Sequence, residues 1–188
     1  DLMSDTLVAT DALGRTLPDA AECGPPREGR FVGIFYFLCH PPGSGPGPHD
    51  VTRILAANPE APQWGTGAHY WGEPELGYYL GDDPYVLRRH AHLLADAGID
   101  TLIFDTTNDI TYPEVYLPLC RIFEEIRREG ERTPQVCFLA SWKSAEQVYA
   151  DFYAKGMFPD LWFHWKGKPL LLFGQHAGRG HAERGGAQ

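Results

Sequence analysis

Basic residues are scarce in this sequence. There are 16 Lys and Arg against 25 Asp and Glu, a formal charge of −9 over 188 residues. A nucleic-acid surface needs clustered Lys and Arg, and so does an anionic membrane surface. Neither partner class is therefore expected. No apolar run approaches the ~20 residues of a membrane-spanning helix. No leader-like segment opens the sequence, and Asp1 reads as a processed or fragment end. Cysteine is sparse, and Cys23, Cys39, Cys120 and Cys137 form no C-x-x-C pair. That disfavours a zinc or dithiol redox site. The four read as small buried hydrophobes, with a disulfide as the alternative. There is no G-x-G-x-x-G after a strand, no Walker-type loop and no G-x-S-x-G elbow. The common marks of a nucleotide-binding sheet and of an α/β-hydrolase are thus missing. His90 and His92 lie about 200° apart on a helix, too far round to share a metal. No metal and no cofactor are expected.

Apolar strands alternating with amphipathic helices are present instead. Phe31 to Leu38 is a continuous apolar run, the pattern of a strand buried on both faces. Asp83 predicts an N-cap with Pro84 at the first helical position. Leu87, Ala91, Leu94 and Ala95 then line one helical face, and Gly98 stops the helix. Thr101 to Phe104 predicts a short strand ending at Asp105. Thr111 and Glu114 match a capping box before the next helix, which carries Val115, Leu119, Ile122, Phe123 and Ile126 and ends at Gly130. Val136 to Ala140 predicts a third strand. Ser144 and Gln147 match a second capping box, and Gly156 closes that helix. Pro169 to Phe173 predicts a fourth strand.

This alternation means a parallel sheet with helical cover. The fold class is α/β, and the reading is the first four βα units of an incomplete (β/α)8 TIM-type barrel. An open doubly wound sheet is the other architecture that fits. A whole barrel takes ~250 residues. Residues 1–30 read as an irregular lead-in, 31–173 as the partial barrel domain, and the Gly-rich, basic 174–188 as a disordered tail.

The long connection from His40 to Asp83 is the densest in chemistry. HYWGEPELGYYLGDDP gathers His69, Tyr70, Trp71, Tyr78 and Tyr79 with Glu73, Glu75, Asp82 and Asp83. Flat aromatic faces stack on sugar C–H faces, and carboxylates accept from sugar hydroxyls. The alternative is that these rings cover the end of a core. In a parallel barrel, functional groups gather where strands end. The strands here end near Tyr36, at Asp105 to Asp109 including Asn108, and at Ser141 to Lys143. Asp105 is the strongest single candidate, with a turn-capping role as its alternative.

At VGIFYFL, HYWGEPELGYYL, DDPYVLRRHAHLLADAGIDTLIFDTTN and LWFHWKGKPLLLF, the chain resembles bacterial proteins of the glycoside hydrolase family 71/99-like group. The resemblance runs from about residue 10 to about residue 173. It implies a (β/α)8 barrel, often secreted, related to endo-α-mannosidases and α-1,3-glucanases. It further implies an extracellular or cell-surface place for the full-length parent. In the endo-α-mannosidase branch the catalytic carboxylates lie late in the barrel, so no catalytic residue carries over. An early-strand binding wall does, through Tyr36, Trp71, Glu73, Asp105 and Asn108. His69 and Tyr70 join it from the aromatic loop. Cys39 stands where an aromatic is usual in such proteins. The expected partner is a carbohydrate, bound or hydrolysed as an α-linked glycan, with little activity from this chain alone. The alternatives are a non-catalytic carbohydrate-binding or surface protein on the same barrel, and an open α/β domain that binds another small molecule. Self-association through open barrel edges is also expected.

Overall fold

The structure is a computed structural model that describes residues 8–25, 28–39, 49–60, 69–70 and 74–173. The predicted tail at 174–188 lies outside the described residues. A short helix, α1 (Ala20–Cys23), precedes the first strand, β1 (Gly33–Phe37). β2 (His49–Asp50) leads into α2 (Val51–Ala57) and pairs in parallel with β3 (His69–Tyr70). The main alternation follows: α3 (Pro84–Asp96), β4 (Thr101–Thr106), α4 (Pro113–Arg128), β5 (Gln135–Ala140) and α5 (Trp142–Val148). A π-helical turn (Tyr149–Tyr153) extends α5. The hairpin of β6 (His164–Trp165) and β7 (Lys168–Pro169) then leads to β8 (Leu171–Phe173).

The principal sheet has the order β1-β4-β5-β8, with every neighbouring pair parallel. Register fixes its two faces. Tyr36, Phe104 and Phe138 stand in line, and Phe37, Asp105 and Leu139 form the next line, which points the other way. On the first face Leu102, Phe104, Val136 and Phe138 pack with Val115, Tyr116, Leu119 and Phe123 of α4, all buried. Edge-on ring contacts at 5.2–5.7 Å join Phe104, Phe138, Tyr116 and Phe152 at its centre. Aromatic pairs in this geometry contribute ~0.5–1.5 kcal/mol beyond area burial.

The helix ends show why the sequence folds this way. Asp83 accepts from the Tyr85 and Val86 amides at 2.9 and 3.2 Å, with Pro84 starting α3 as expected. At its far end Gly98, at φ 72°, donates to Ala95 O, and Ile99 donates to Leu94 O. Gly130, at φ 90°, repeats this arrangement on α4, with Glu131 donating to Ile126 O. Met157 donates to Phe152 O in the same way beyond Gly156. These are Schellman closures, and the left-handed residue at their centre favours glycine.

Four local expectations are corrected. The Thr111–Glu114 capping box does not form: the N-cap of α4 is Tyr112, in a left-handed conformation without a side-chain cap bond. The Ser144–Gln147 box is displaced by three residues. Ser141 caps α5, its hydroxyl accepting from Ser144 N while Ser144 Oγ accepts from Ser141 N. The first strand is not buried on both faces. Phe35 and Phe37, which point away from the helices, are 52% and 65% exposed. Cys120 and Cys137 are buried as expected, but Cys23 and Cys39 are exposed, and all four are free.

Candidate functional site at the carboxyl ends of the strands

The carboxyl ends of β1, β4 and β5 come together, and the segment after β4 is the most constrained part of this rim. Asp105 points to the face opposite the helices, in line with Phe37 and Leu139. Its carboxylate accepts from the Thr107 amide at 2.9 Å and from the Thr107 hydroxyl at 2.7 Å. This is the side-chain-to-backbone turn that Asp adopts readily. Asn108 is exposed and donates through Nδ2 to the Tyr112 hydroxyl at 2.5 Å. Burial pushes the Tyr112 phenol up, the Asn108 bond opposes that, and the nearby Cys39 thiol adds to it. Cys39 thus reaches the same rim from the end of β1.

Two non-glycine residues in this loop have left-handed backbones, Asp109 at φ 68° and Tyr112 at φ 54°. Such residues carry strain and concentrate at functional sites. The surroundings hold them there. Ser141 donates from its hydroxyl to Asp109 Oδ1, a short contact that ties the loop to the cap of α5. Behind Ser141, the buried Ser144 hydroxyl donates to Thr106 O at 2.7 Å. The ends of β4 and β5 are therefore fixed to each other by side chains as well as by the sheet.

The other candidates fall elsewhere. Tyr36 faces the helices, not the open face. Its hydroxyl lies 2.9 Å from His90 Nδ1, and its ring meets Phe104 and His90 edge-on. Burial raises Tyr36 well above the ordinary phenol range, with Tyr79 adding to the shift, and burial lowers His90. Tyr36, Tyr79 and His90 line a cleft of about 170 Å³ beside Phe35, Phe37 and Gly81. His69 and Tyr70 belong to β3, paired with His49 and Asp50; their side chains are outside the description. Trp71 and Glu73 lie outside the described residues, so the aromatic loop joins the rim only as an expectation. Of the seven candidates, the structure brings Asp105 and Asn108 together.

Sequence reading passed over Tyr112, placed Asp109 and Ser141 only at strand ends without a role, and weighed His90 only as a metal ligand sharing an ion with His92, which it rejected. His90 had a signal. It lies three residues after Leu87 and four before Leu94, on the apolar stripe of α3, so a polar ring there must find a partner. Tyr112 had a weaker one, an aromatic directly before the Pro113 that opens a helix. A second concavity, about 380 Å³, is lined by Tyr149, Tyr153, Trp162, Lys168 and Leu171 beside β8. Among the described residues no group of three or more His, Cys, Asp and Glu is placed to hold a metal ion.

No protein-family model matches this sequence, and neither does any curated protein. Among solved structures, the fold is similar to that of the GH99 endo-alpha-mannosidase from Bacteriodes thetaiotaomicron, determined in complex with bis-tris propane. The TM-score is 0.50 at 18% sequence identity, over 77% of this chain and 42% of that one. The chain therefore spans less than half the length of the enzyme it matches. At that identity the likeness is one of fold: a mostly parallel sheet with alternating helices, superposable on part of a glycoside hydrolase.

Proposed function

We propose that this chain is the early-strand part of a glycoside hydrolase-like (β/α)8 barrel, its four strands corresponding to the first four βα units, and that it takes an α-linked glycan at the carboxyl ends of those strands. The observation that carries this is the position of Asp105. It is a carboxylate at the end of a central parallel strand, on the face turned away from the helices. Beside it Asn108 is exposed on a loop with two left-handed residues. Strand ends of this kind are where barrel enzymes bind their substrates. By residue type alone, His69, Tyr70, Trp71 and Glu73 are assigned glycan contacts in the same reading. Tyr36, which bonds His90 on the helix side, is left out of it.

The role assigned is binding, not cleavage. Glycoside hydrolysis usually needs two carboxyl groups on either side of the scissile bond. Asp105 already accepts two bonds from Thr107, which suits a group that holds a hydroxyl. The parent, in this reading, acts outside the cell or at its surface.

Titration calorimetry and heteronuclear NMR with α-mannan and α-1,3-glucan oligosaccharides test the proposal. Amide shifts at Asp105, Thr107 and Asn108 that vanish in Asp105→Ala support it. Shifts confined to the Tyr149 and Trp162 groove, or none with either glycan, would refute it. Robust glycan turnover by the 188-residue chain would overturn the assignment to binding.

A further inference from the structure

Asp105 is gripped at one oxygen and open at the other. The Thr107 amide donates to Oδ1 at 2.9 Å, and the Thr107 hydroxyl donates to the same atom at 2.7 Å. Two donors fill the two lone-pair directions of that oxygen. Oδ2 takes no hydrogen bond among the described residues, and no Lys, Arg or His there forms an ion pair with Asp105. A half-buried carboxylate with one empty oxygen is an open acceptor in a fixed direction.

Asn108 is gripped at both ends. Its Nδ2 donates to the Tyr112 hydroxyl at 2.5 Å, and its Oδ1 accepts from the Ile110 amide at 3.4 Å. An amide nitrogen carries two N–H groups, so one is left over. Tyr112 itself is buried and belongs to the core. Its backbone is left-handed at φ 54°, a conformation that a bulky side chain rarely adopts. With that backbone the ring stays in the core while its hydroxyl meets Asn108. Neighbouring donors are spent within the rim. The Asp109 amide donates to Thr106 O at 3.3 Å, and the Ser141 hydroxyl donates to Asp109.

We infer that Thr107 and Tyr112 are positioning residues of this rim. Thr107 fixes Asp105 and Tyr112 fixes Asn108, so that one free acceptor and one free donor are offered from the same short loop. The acceptor is Oδ2 of Asp105, and the donor is the second N–H of Asn108. Adjacent hydroxyls of a sugar ring complement such a pair: one donates to the carboxylate oxygen, and the next accepts from the amide. Neither Thr107 nor Tyr112 touches the sugar in this arrangement. Each acts through the side chain that it holds.

The gain is preorganisation. A side chain already held in its binding rotamer loses no further freedom when the ligand arrives, and a contact residue is only as precise as the group behind it. The roles of Thr107 and Tyr112 rest on the glycan reading of the same rim, and they extend it to residues that residue type alone would not have chosen.

Titration calorimetry of the 188-residue chain with α-mannotriose and with an α-1,3-linked glucotriose is the test, with circular dichroism verifying that each variant folds. Thr107→Val keeps the amide bond to Asp105 and removes the hydroxyl bond; affinity should fall about two- to tenfold, the range that one net hydrogen bond gives. Thr107→Ser should restore it. Tyr112→Phe should weaken binding over the same range, yet add no further loss once Asn108→Ala is present, because Tyr112 acts through Asn108. A purely structural role would show neither the serine rescue nor this non-additivity. Parent affinity in Thr107→Val, or additive losses in the Asn108→Ala, Tyr112→Phe pair, would overturn the positioning roles and leave glycan binding at Asp105 standing. Binding of neither trisaccharide by the parent chain would overturn the glycan reading and these roles with it. NMR of the ligand-free chain reads the grip separately. The Asn108 side-chain amide protons should exchange slowly in the parent and quickly in Tyr112→Phe. Fast exchange in the parent would overturn the inference even if a trisaccharide binds.

Discussion

The Tyr36 hydroxyl lies 2.9 Å from Nδ1 of His90, joining the first strand of the sheet to the helix that leads into the second. The two residues are 54 positions apart, and the bond closes the long connection between them. Both groups are held neutral by burial: the phenol is raised and the imidazole lowered. Tyr36→Phe removes the bond while keeping the ring contacts. A net loss of ~0.5–1.5 kcal/mol in urea unfolding is expected. Glycan binding at Asp105 should be unchanged, because Tyr36 faces the helices.

The same pair makes stability depend on pH. Burial favours neutral His90, so its folded pKa lies below the ordinary value of ~6.5. Above about pH 6.5 both folded and unfolded states are neutral there, and the contribution is fully present. As pH falls through that value the unfolded chain takes up the proton first, so stability is lost with acidification. Comparing the urea midpoints of the parent chain and His90→Gln between pH 7.5 and 5 isolates this contribution. The variant should show the flatter dependence, and equal slopes would refute it.

Thiol accessibility separates the cysteines. Cys23 and Cys39 are exposed, while Cys120 and Cys137 are buried, with the Cys120 thiol pushed far up by burial. Thiolate is the reactive form. Titration with an aromatic disulfide reagent should consume two thiols quickly in the native protein and all four in denaturant. Fast reaction at Cys120 would mean that α4 does not pack on the sheet as described.

Gly130 tests the Schellman closures. It has φ 90°, and a Cβ built there meets nothing within 4 Å. Gly130→Ala therefore costs only the left-handed backbone penalty of ~1–2 kcal/mol. Gly130→Asn should cost less, since Asn tolerates this region. An Ala variant as stable as the parent chain would show that the end of α4 can rearrange.

What the sequence disclosed, and what it hid, follows from the kind of signal each element carries. The four strands and the glycine stops were legible because apolar runs and a left-handed C′ residue leave direct marks at Thr101–Phe104, Gly98 and Gly130. The exposure of β1 was not, because FVGIFYFL reads the same whether or not a neighbour covers it. The α4 cap escaped because Tyr112 adopts a left-handed backbone by context, and nothing in T-Y-P announces that. The α5 cap escaped because the reciprocal partner of Ser141 is another serine, not the Glu or Gln of the usual pattern. At the site, Asp105 and Asn108 were legible as the residues ending a strand. The Asp109–Ser141 tie was not, because it joins loops 32 residues apart.

That tie depends on Ser144. Its side chain is fully buried, with its hydroxyl donating to Thr106 O at 2.7 Å and accepting from Ser141 N at 2.9 Å. Ser144→Ala leaves the Ser141 N-cap amide without that partner, while Thr106 O loses one bond and keeps the one from the Asp109 amide at 3.3 Å. Each unsatisfied group costs ~1–3 kcal/mol, less where backbone relaxation recovers part of it. A total loss of about 2 kcal/mol is therefore expected, more than the ~1 kcal/mol of an ordinary exposed N-cap. The effect should reach the candidate site. Released from its reciprocal bond, Ser141 no longer holds Asp109, and the left-handed backbone there relaxes. Amide exchange should rise at Asp109 and Ser141 in the variant and stay unchanged at Leu119 and Phe123 in the middle of α4. If exchange rises evenly across the domain, Ser144 contributes general stability alone. If it rises only at these loop residues, the cap of α5 is what shapes the rim around Asp105.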